Sequence, residues 1–581
     1  MGNWYWVSKI GVMLNLATEK TLSRILGVGG LSTSVFILWQ VVTDPVNVTK
    51  HFLLGAFAVS AFALAMISGS RILVRDSKIA IGLISLFLVF AVNAVINSDS
   101  PLAQNLYGTY GRNTGFMSYL FFSFIFIATL VIRSKKSFEF LIKALLIAGL
   151  INVLYCFWAW QVGDFVGWNN PYNTILGTFG NPNFIGAFLG IFVSVFVAYL
   201  VASSTKLWAR IIGGIVVLIT LLEIKHSNAI QGIVVAAGGI SLVVFALIRA
   251  KFKSIIPTIV YVLFVATSGV FAVLGALQKG PLTDLIYKRS VSLRGEYWNA
   301  GINMGQEFPL TGVGMDGYGD WYRLLRRDSA LVVPGINTVT NAAHNVFLDL
   351  FAYGGWPLFI SYVAIMILAL VSIVRVLARS KSYDWVFVSL AVGWICYQVQ
   401  ALISINQIGL AIWGWIFSGA VIAYEISTRN EFNDEAQKNR TSKKSKAGYK
   451  GEIISPQLIA SLGLVLGGIL AVPPLSADMK WSSAFRSGSV QVVEAGLQPS
   501  YMNPANVNKY LQAIQLFESN KLPDYAYKYS KIAVEFNPNS FNSWEFLYSI
   551  SKSTPEDKAL ALKNMKRLDP KNPNVLDKPQ P

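Results

Sequence analysis

Charge disappears from this chain for stretches of about 20 residues at a time, the length an α-helix needs to cross a bilayer. The block from Ile79 to Ile96 is representative, running through Phe87, Leu88, Val89 and Phe90 without one charged side chain. Such blocks predict helices at about 25–43, 52–70, 79–97, 116–132, 140–161, 184–203, 207–223, 230–248, 254–277, 345–374, 385–403, 408–426 and 456–475. The expected fold is therefore an all-α, polytopic transmembrane helical bundle of about thirteen helices.

The polar positions between the blocks set an orientation. Arg71, Arg75 and Lys78; Arg133, Lys135 and Lys136; Lys206 and Arg210; Arg249, Lys251 and Lys253; and Arg375, Arg379 and Lys381 fall in alternate loops. The intervening short loops hold only Lys50, Arg112 and Lys225. Lys and Arg gather on the cytoplasmic side of membrane proteins. The pattern puts residues 1–24 in the cytoplasm ahead of a core at 25–426. A basic linker at 427–455, with Arg429, Lys438, Arg440, Lys443, Lys444, Lys446 and Lys450, is cytoplasmic too. The last span, 456–475, then carries residues 476–581 outside, and the long loop 278–344 is also outside.

Composition agrees with the pattern. Of 581 residues, 54% are hydrophobic and 13% charged, where a soluble chain carries about 25% charged residues. The net charge of +18 is spent on topology. No basic stripe interleaved with aromatics marks a nucleic-acid surface. Cys156 and Cys396 both lie inside apolar blocks and lack the spacing of a metal site or disulfide framework. The N-terminus shows no cleavable-signal pattern; Lys9, Lys20 and Arg24 precede a block followed directly by further spans.

Two pieces stand outside the spans. Loop 278–344 far exceeds a usual connection and carries Trp298, Tyr318 and Trp321, so it is expected to be partly ordered. In 476–581, Tyr510 and Trp544 stand one tetratricopeptide period of about 34 residues apart. Asn537-Pro538 recurs as Asp569-Pro570, each after a helical run with small residues (Ala526, Ala533, Ala559, Ala561). This tail resembles tetratricopeptide repeats. A docked helical cap and a protein-partner surface at 505–575 both fit it.

Lys143, Glu223, Asp349 and Glu425 lie toward the ends of blocks and none at a centre. Ion-coupled transport generally needs ionisable groups near mid-membrane, so weight moves to chemistry at the outer surface. The histidines His51, His226 and His344 all fall at expected outer helix ends or loops. Outer cations include Lys288, Arg289, Arg294, Arg323, Arg326 and Arg327, with Asp316, Asp320 and Asp328 nearby as partners.

Four outer segments carry a family likeness: Tyr107-Gly108-Thr109-Tyr110-Gly111-Arg112-Asn113-Thr114-Gly115; Gly177-Thr178-Phe179-Gly180-Asn181-Pro182-Asn183; Arg294 and Trp298 followed by Pro309-Leu310-Thr311-Gly312-Val313-Gly314; and Ala343-His344-Asn345 leading to Leu348, Asp349, Gly354 and Gly355. In order and placement, across roughly 100–425, they resemble the O-antigen ligase and O-antigen polymerase superfamily. Its members handle glycans on polyprenyl-diphosphate carriers such as undecaprenyl diphosphate, in the bacterial cytoplasmic (inner) membrane. The resemblance implies a glycosyltransferase, with Arg294 holding the diphosphate and His344 beside the acceptor hydroxyl. No metal and no cofactor are implied. One position departs from the pattern: Asn228, in Lys225-His226-Ser227-Asn228, stands where many members carry arginine. Arg112 or Lys225 is then expected to supply that charge, and Asn183 and Trp298 complete the expected substrate contacts. The acceptor (glycan, lipid or protein) is left open between polymerase, ligase and protein O-glycosylation. Readings from other classes are a lipid-linked glycan flippase or transporter, and a non-catalytic membrane scaffold.

Overall fold

The structure is a computed structural model and describes residues 16–171, 173–287, 292–438 and 455–579. Lys288, Arg289 and most of the expected basic linker lie outside the described residues. The described chain is helical, without strands. Each expected span overlaps a helix, the first only over residues 25–35. Among the described residues ten helices are long and apolar enough to cross a membrane, and Phe116–Thr129 and Trp385–Ala401 are shorter apolar helices. The protein is an integral membrane protein built as a polytopic bundle.

Burial sorts the helices. The apolar window of Ile408–Arg429 is 100% buried, whereas that of Ile256–Ala276 is only 6% buried. The first is the axis of the bundle, packed by Phe116–Thr129, Trp385–Ala401 and Val346–Arg379. The second is apolar all round and leaves its side chains to lipid.

Three expectations are corrected. The first helix runs Leu16–Val35, earlier than 25–43. Glu19 explains the early start: its buried carboxylate accepts the N–H groups of Arg133 and Ser134 at 3.0 and 2.7 Å. After Val35 the chain leaves the helix, and the Leu38 N–H bonds to the Pro45 carbonyl at 3.0 Å. Lys50 belongs to no loop. It is buried in the first turn of Asn47–Asp76 and donates to the carbonyls of Thr33 and Ser34 at 2.8 and 3.1 Å.

The third correction concerns the last span, which continues as one helix from Pro456 to Arg486 despite Pro473 and Pro474. A proline at 473 offers no N–H to the carbonyl of Ile469 four residues earlier. That carbonyl instead accepts the Tyr501 hydroxyl at 2.8 Å. The helix thus reaches out of the bundle, where it packs along Asn47–Asp76, into the tail, where Trp481 joins Tyr510, Ile514, Phe517 and Tyr529 in a separate core. The tail helices Pro523–Phe536 and Pro555–Leu568 end at Asn537 and Asp569, the two breaks marked in the sequence.

The bundle's two ends differ. At one end Arg75, Lys78, Arg375 and Arg429 line a pocket, and Arg249, Arg379 and Lys381 line another. The helices Lys78–Ile96 and Val346–Arg379 run from there to the opposite end, where the long loop and the tail meet.

Candidate active site

At that opposite end three of the four motif segments fold onto one another. The Val346–Arg379 helix breaks at Gly354 and Gly355, the latter with φ +63°, a conformation that glycine adopts without steric cost. The break frees the carbonyls of Ala352 and Tyr353, which accept the N–H groups of Val313 and Gly314 at 2.8 and 3.1 Å. Trp356 N–H returns to the Pro309 carbonyl at 2.9 Å. The Pro309–Gly314 segment is laced into the broken helix, so the buried backbone groups are paired. A Cβ on Gly312 would stand 2.3 Å from the Tyr353 backbone, which is why that position has no side chain.

Asp316 ties in the remaining segment. Its buried carboxylate accepts Thr109 N–H at 2.6 Å, the Thr114 hydroxyl at 3.3 Å and the Tyr353 hydroxyl at 3.0 Å. Burial pushes this carboxyl above its ordinary value, while those donors and Arg112 pull the other way. The 107–115 segment is also held from its other side. Tyr110 donates to Asp478 at 2.7 Å, and Asn47 donates to the Gly111 carbonyl at 2.9 Å.

These segments wall a cavity of about 750 Å³. Arg112 and His344 both line it, with Tyr297, Asn341, Gln104 and Asp320, and tail residues close the far side. Arg112 is oriented by the Asn341 side-chain carbonyl at 2.9 Å. His344 sits at φ +58°, uncommon for a residue with a side chain and a frequent mark of functional sites. The backbone on either side of it is fixed. Ala343 N–H donates to Asp349 at 2.6 Å, and Asn345 caps the following helix by accepting from Phe347 and Leu348 at 3.0 and 3.2 Å. The imidazole lies against the Tyr297 ring at 5.5 Å between centroids. Burial, then the guanidiniums of Arg294 and Arg112, lower it to about 3. His344 is therefore a neutral imidazole at physiological pH rather than one titrating near neutrality.

The other expected site residues are placed as follows. Arg294 opens the Arg294–Glu307 helix behind the cavity, buried, with one guanidinium N–H on the Ile403 carbonyl. Trp298, one turn on, packs against the bundle core. Asn183 lies in the first turn of Pro182–Leu200, and its carbonyl accepts the Gln231 amide at 2.5 Å. Lys225 is exposed at the end of Leu207–His226. Arg294, Trp298, Asn183 and Lys225 do not line this cavity, nor does His226, whose ring lies tilted against Trp160 at 4.0 Å between centroids.

Residues 226–363 match the family model described as O-antigen ligase. The matched stretch is less than half of the chain. The match supports membership of the O-antigen ligase superfamily. No curated protein matches the chain. The matched stretch contains Arg294, Trp298, Asp316 and His344; Arg112 and the tail residues reach the same cavity from outside it. Sequence reasoning missed Tyr297 and Asn341, which sit three residues from Arg294 and His344 respectively. It also read Asp316 only as a generic partner for nearby arginines. The one available signal was that Asp316 directly follows the Gly312-Val313-Gly314 motif by two residues.

Proposed function

We propose that the protein is a glycosyltransferase that moves a glycan from a polyprenyl-diphosphate carrier to an acceptor hydroxyl at the outer membrane face. The observation that carries this reading is the opening of Arg112 and His344 into one cavity, with Arg294 directly behind. Breaking the bond between the anomeric carbon and the diphosphate oxygen leaves negative charge on the carrier. Preorganised guanidinium groups stabilise such charge, and arginine's planar fork suits phosphate. The acceptor oxygen forms the new bond and gives its proton to the neutral His344 imidazole. A diphosphate beside Arg112, within the field of the buried Arg294, offsets the repulsion that weakens this base, so His344 gains basicity when donor is bound. Arg112 takes the role left vacant by Asn228.

The orientation follows from the two basic pockets at the other end of the helices, which gather loops expected in the cytoplasm. The cavity and tail are then extracytoplasmic, in a bacterial inner membrane. The assay incubates purified protein in nanodiscs with a polyprenyl-diphosphate glycan and candidate hydroxyl acceptors. Released carrier diphosphate with glycan on the acceptor is expected. Glycan movement across liposomes without bond exchange would replace the enzyme by a flippase. In a Cys156→Ser, Cys396→Ser background, Val332→Cys and Lys563→Cys should react with an impermeant maleimide on intact cells and Arg375→Cys should not. The reverse labelling inverts the topology.

A further inference from the structure

The chemistry above leaves one wall of the cavity unused, the one supplied by the tail. That wall is seated firmly. Asp569 accepts from Arg326 at 2.8 and 2.9 Å and from Arg323 at 3.0 Å, and the Arg326 and Asp569 side chains are wholly buried. Asn537 donates to Asp320 at 3.0 Å, and the Arg323 guanidinium lies 4.2 Å over the Phe541 ring. Both breaks that recur in the sequence, Asn537-Pro538 and Asp569-Pro570, are therefore docking points on the Tyr318–Leu325 helix and the residue after it. With them in place, Asn508, Gln515, Asn542 and Phe546 face the cavity opposite Arg112 and His344.

The lining selects a ligand chemistry. Arg112 is the permanent cation among the lining residues, and the Asp320 carboxylate is already engaged by Gln104 and Asn537 at 3.0 Å each. What remains is mostly amide and hydroxyl, with aromatic faces at Tyr297 and Phe546. An amide side chain presents donors and an acceptor together, matching a ligand dense in hydroxyls and without net charge. Aromatic rings accept the C–H face of a sugar ring. A lipid tail would leave the amides and hydroxyls of this lining without partners, and an acidic or basic peptide would find no counter-charges on the tail side. The volume falls within the range of about 300–1,000 Å³ typical of ligand sites.

We propose that the tail forms a glycan subsite, in which Asn508, Gln515, Asn542 and Phe546 hold uncharged sugar units adjoining the reacting one. The proposal rests on the glycosyltransferase reading. The sugars belong either to the donor's own chain or to a glycan acceptor, and the test has an arm for each.

The full-length protein in nanodiscs is compared with Asn508→Ala/Gln515→Ala/Asn542→Ala, with Phe546→Leu, and with Lys563→Ala as a tail control away from the cavity. The probes are polyprenyl diphosphates bearing one hexose or five, and free hexose oligomers of one to five units as acceptors. Each lost hydrogen bond is worth about 2- to 10-fold in affinity. The triple variant should therefore lose about tenfold or more of the wild-type preference for the longer chain, and bind the one-hexose donor normally. Loss in the donor arm places the donor's chain in the subsite, and loss in the acceptor arm places the acceptor there. Unchanged length preference in both arms, with normal transfer, overturns the subsite and leaves the transferase reading standing. Absence of donor binding and transfer by the wild type removes the transferase reading, and the subsite with it. Phe546→Leu keeps the fold testable should the triple variant not accumulate, and should cut the same preference about threefold.

Discussion

On the bundle side of the cavity, backbone meets backbone: Val313 and Gly314 bond into a helix broken at Gly354-Gly355, and a single methyl at Gly312 would collide with the Tyr353 main chain. On the tail side, side chains meet side chains: Asp569 with Arg323 and Arg326, Asn537 with Asp320. Close-packed backbone fixes a geometry that side-chain substitution cannot readily retune. A wall held by a few polar anchors can change its exposed residues without disturbing its seat. The proposed reacting groups stand on the first kind of wall, and the proposed recognition groups stand on the second. The contrast teaches where selection for chemistry ends and selection for a particular glycan begins.

The sharpest challenge to that division is on the bundle wall. His344→Ala should slow single-turnover transfer by about 10²–10⁴-fold and leave donor binding near wild type. Arg294→Lys keeps the charge but loses the planar fork, and should weaken donor binding instead. Normal turnover by folded His344→Ala protein removes it as the base. The pH dependence sharpens the point. His344 is lowered from 6.5 to about 3, so kcat/KM, which reports the free enzyme, should show no step from this residue near 6.5. As pH falls from 6.5 toward 3, the unfolded chain takes up a proton that the folded one refuses, so stability drops through that window. His344→Gln should flatten that slope.

Next in size is the seat of the tail. Asp569→Ala leaves Arg326 buried without its carboxylate, a change that costs about 3–5 kcal/mol. Hydrogen–deuterium exchange should rise across the helices Val507–Ser519 and Phe541–Ser549 while the bundle helices stay protected. Unchanged exchange there would show that the ion pairs do not hold the wall. The smallest effect is expected at the joint between the two regions. Tyr501→Phe deprives the Ile469 carbonyl of its donor, worth about 0.5–1.5 kcal/mol, and should lower the apparent unfolding temperature slightly. A change as large as that of Asp569→Ala would mean that the joint, not the docking helix, seats the tail.

The spans were legible because a bilayer-length apolar block has few alternatives to a helix, and every expected span after the first lies on one. What escaped were features set by single bonds across long sequence distances. Glu19 enters the first helix to bond Arg133 and Ser134, and Lys50 is buried on carbonyls of the preceding helix. Pro473-Pro474 reads locally as a stop, yet the helix runs on, because a tyrosine about thirty residues later in the chain satisfies the freed carbonyl. At the site, the motif glycines and His344 stand out by residue type. The tail wall does not, since Asn508, Gln515 and Asn542 carry no charge and follow no recognised spacing. Their relevance comes only from where Asp569 and Asn537 dock.

That docking has a consequence for how the protein is made. The cavity's two walls are encoded far apart, with Arg112 early and Asp569 late, and the Pro456–Arg486 helix lies between the bundle and the tail in the chain. On the proposed orientation, a nascent chain emerging from the ribosome inserts its reacting groups first and holds an open, unfinished cavity while the tail is still being translocated. The cavity closes only when the Pro555–Leu568 helix has crossed and its terminal aspartate has found Arg326. On that orientation, folding order alone delays the completed cavity until export of the tail is done.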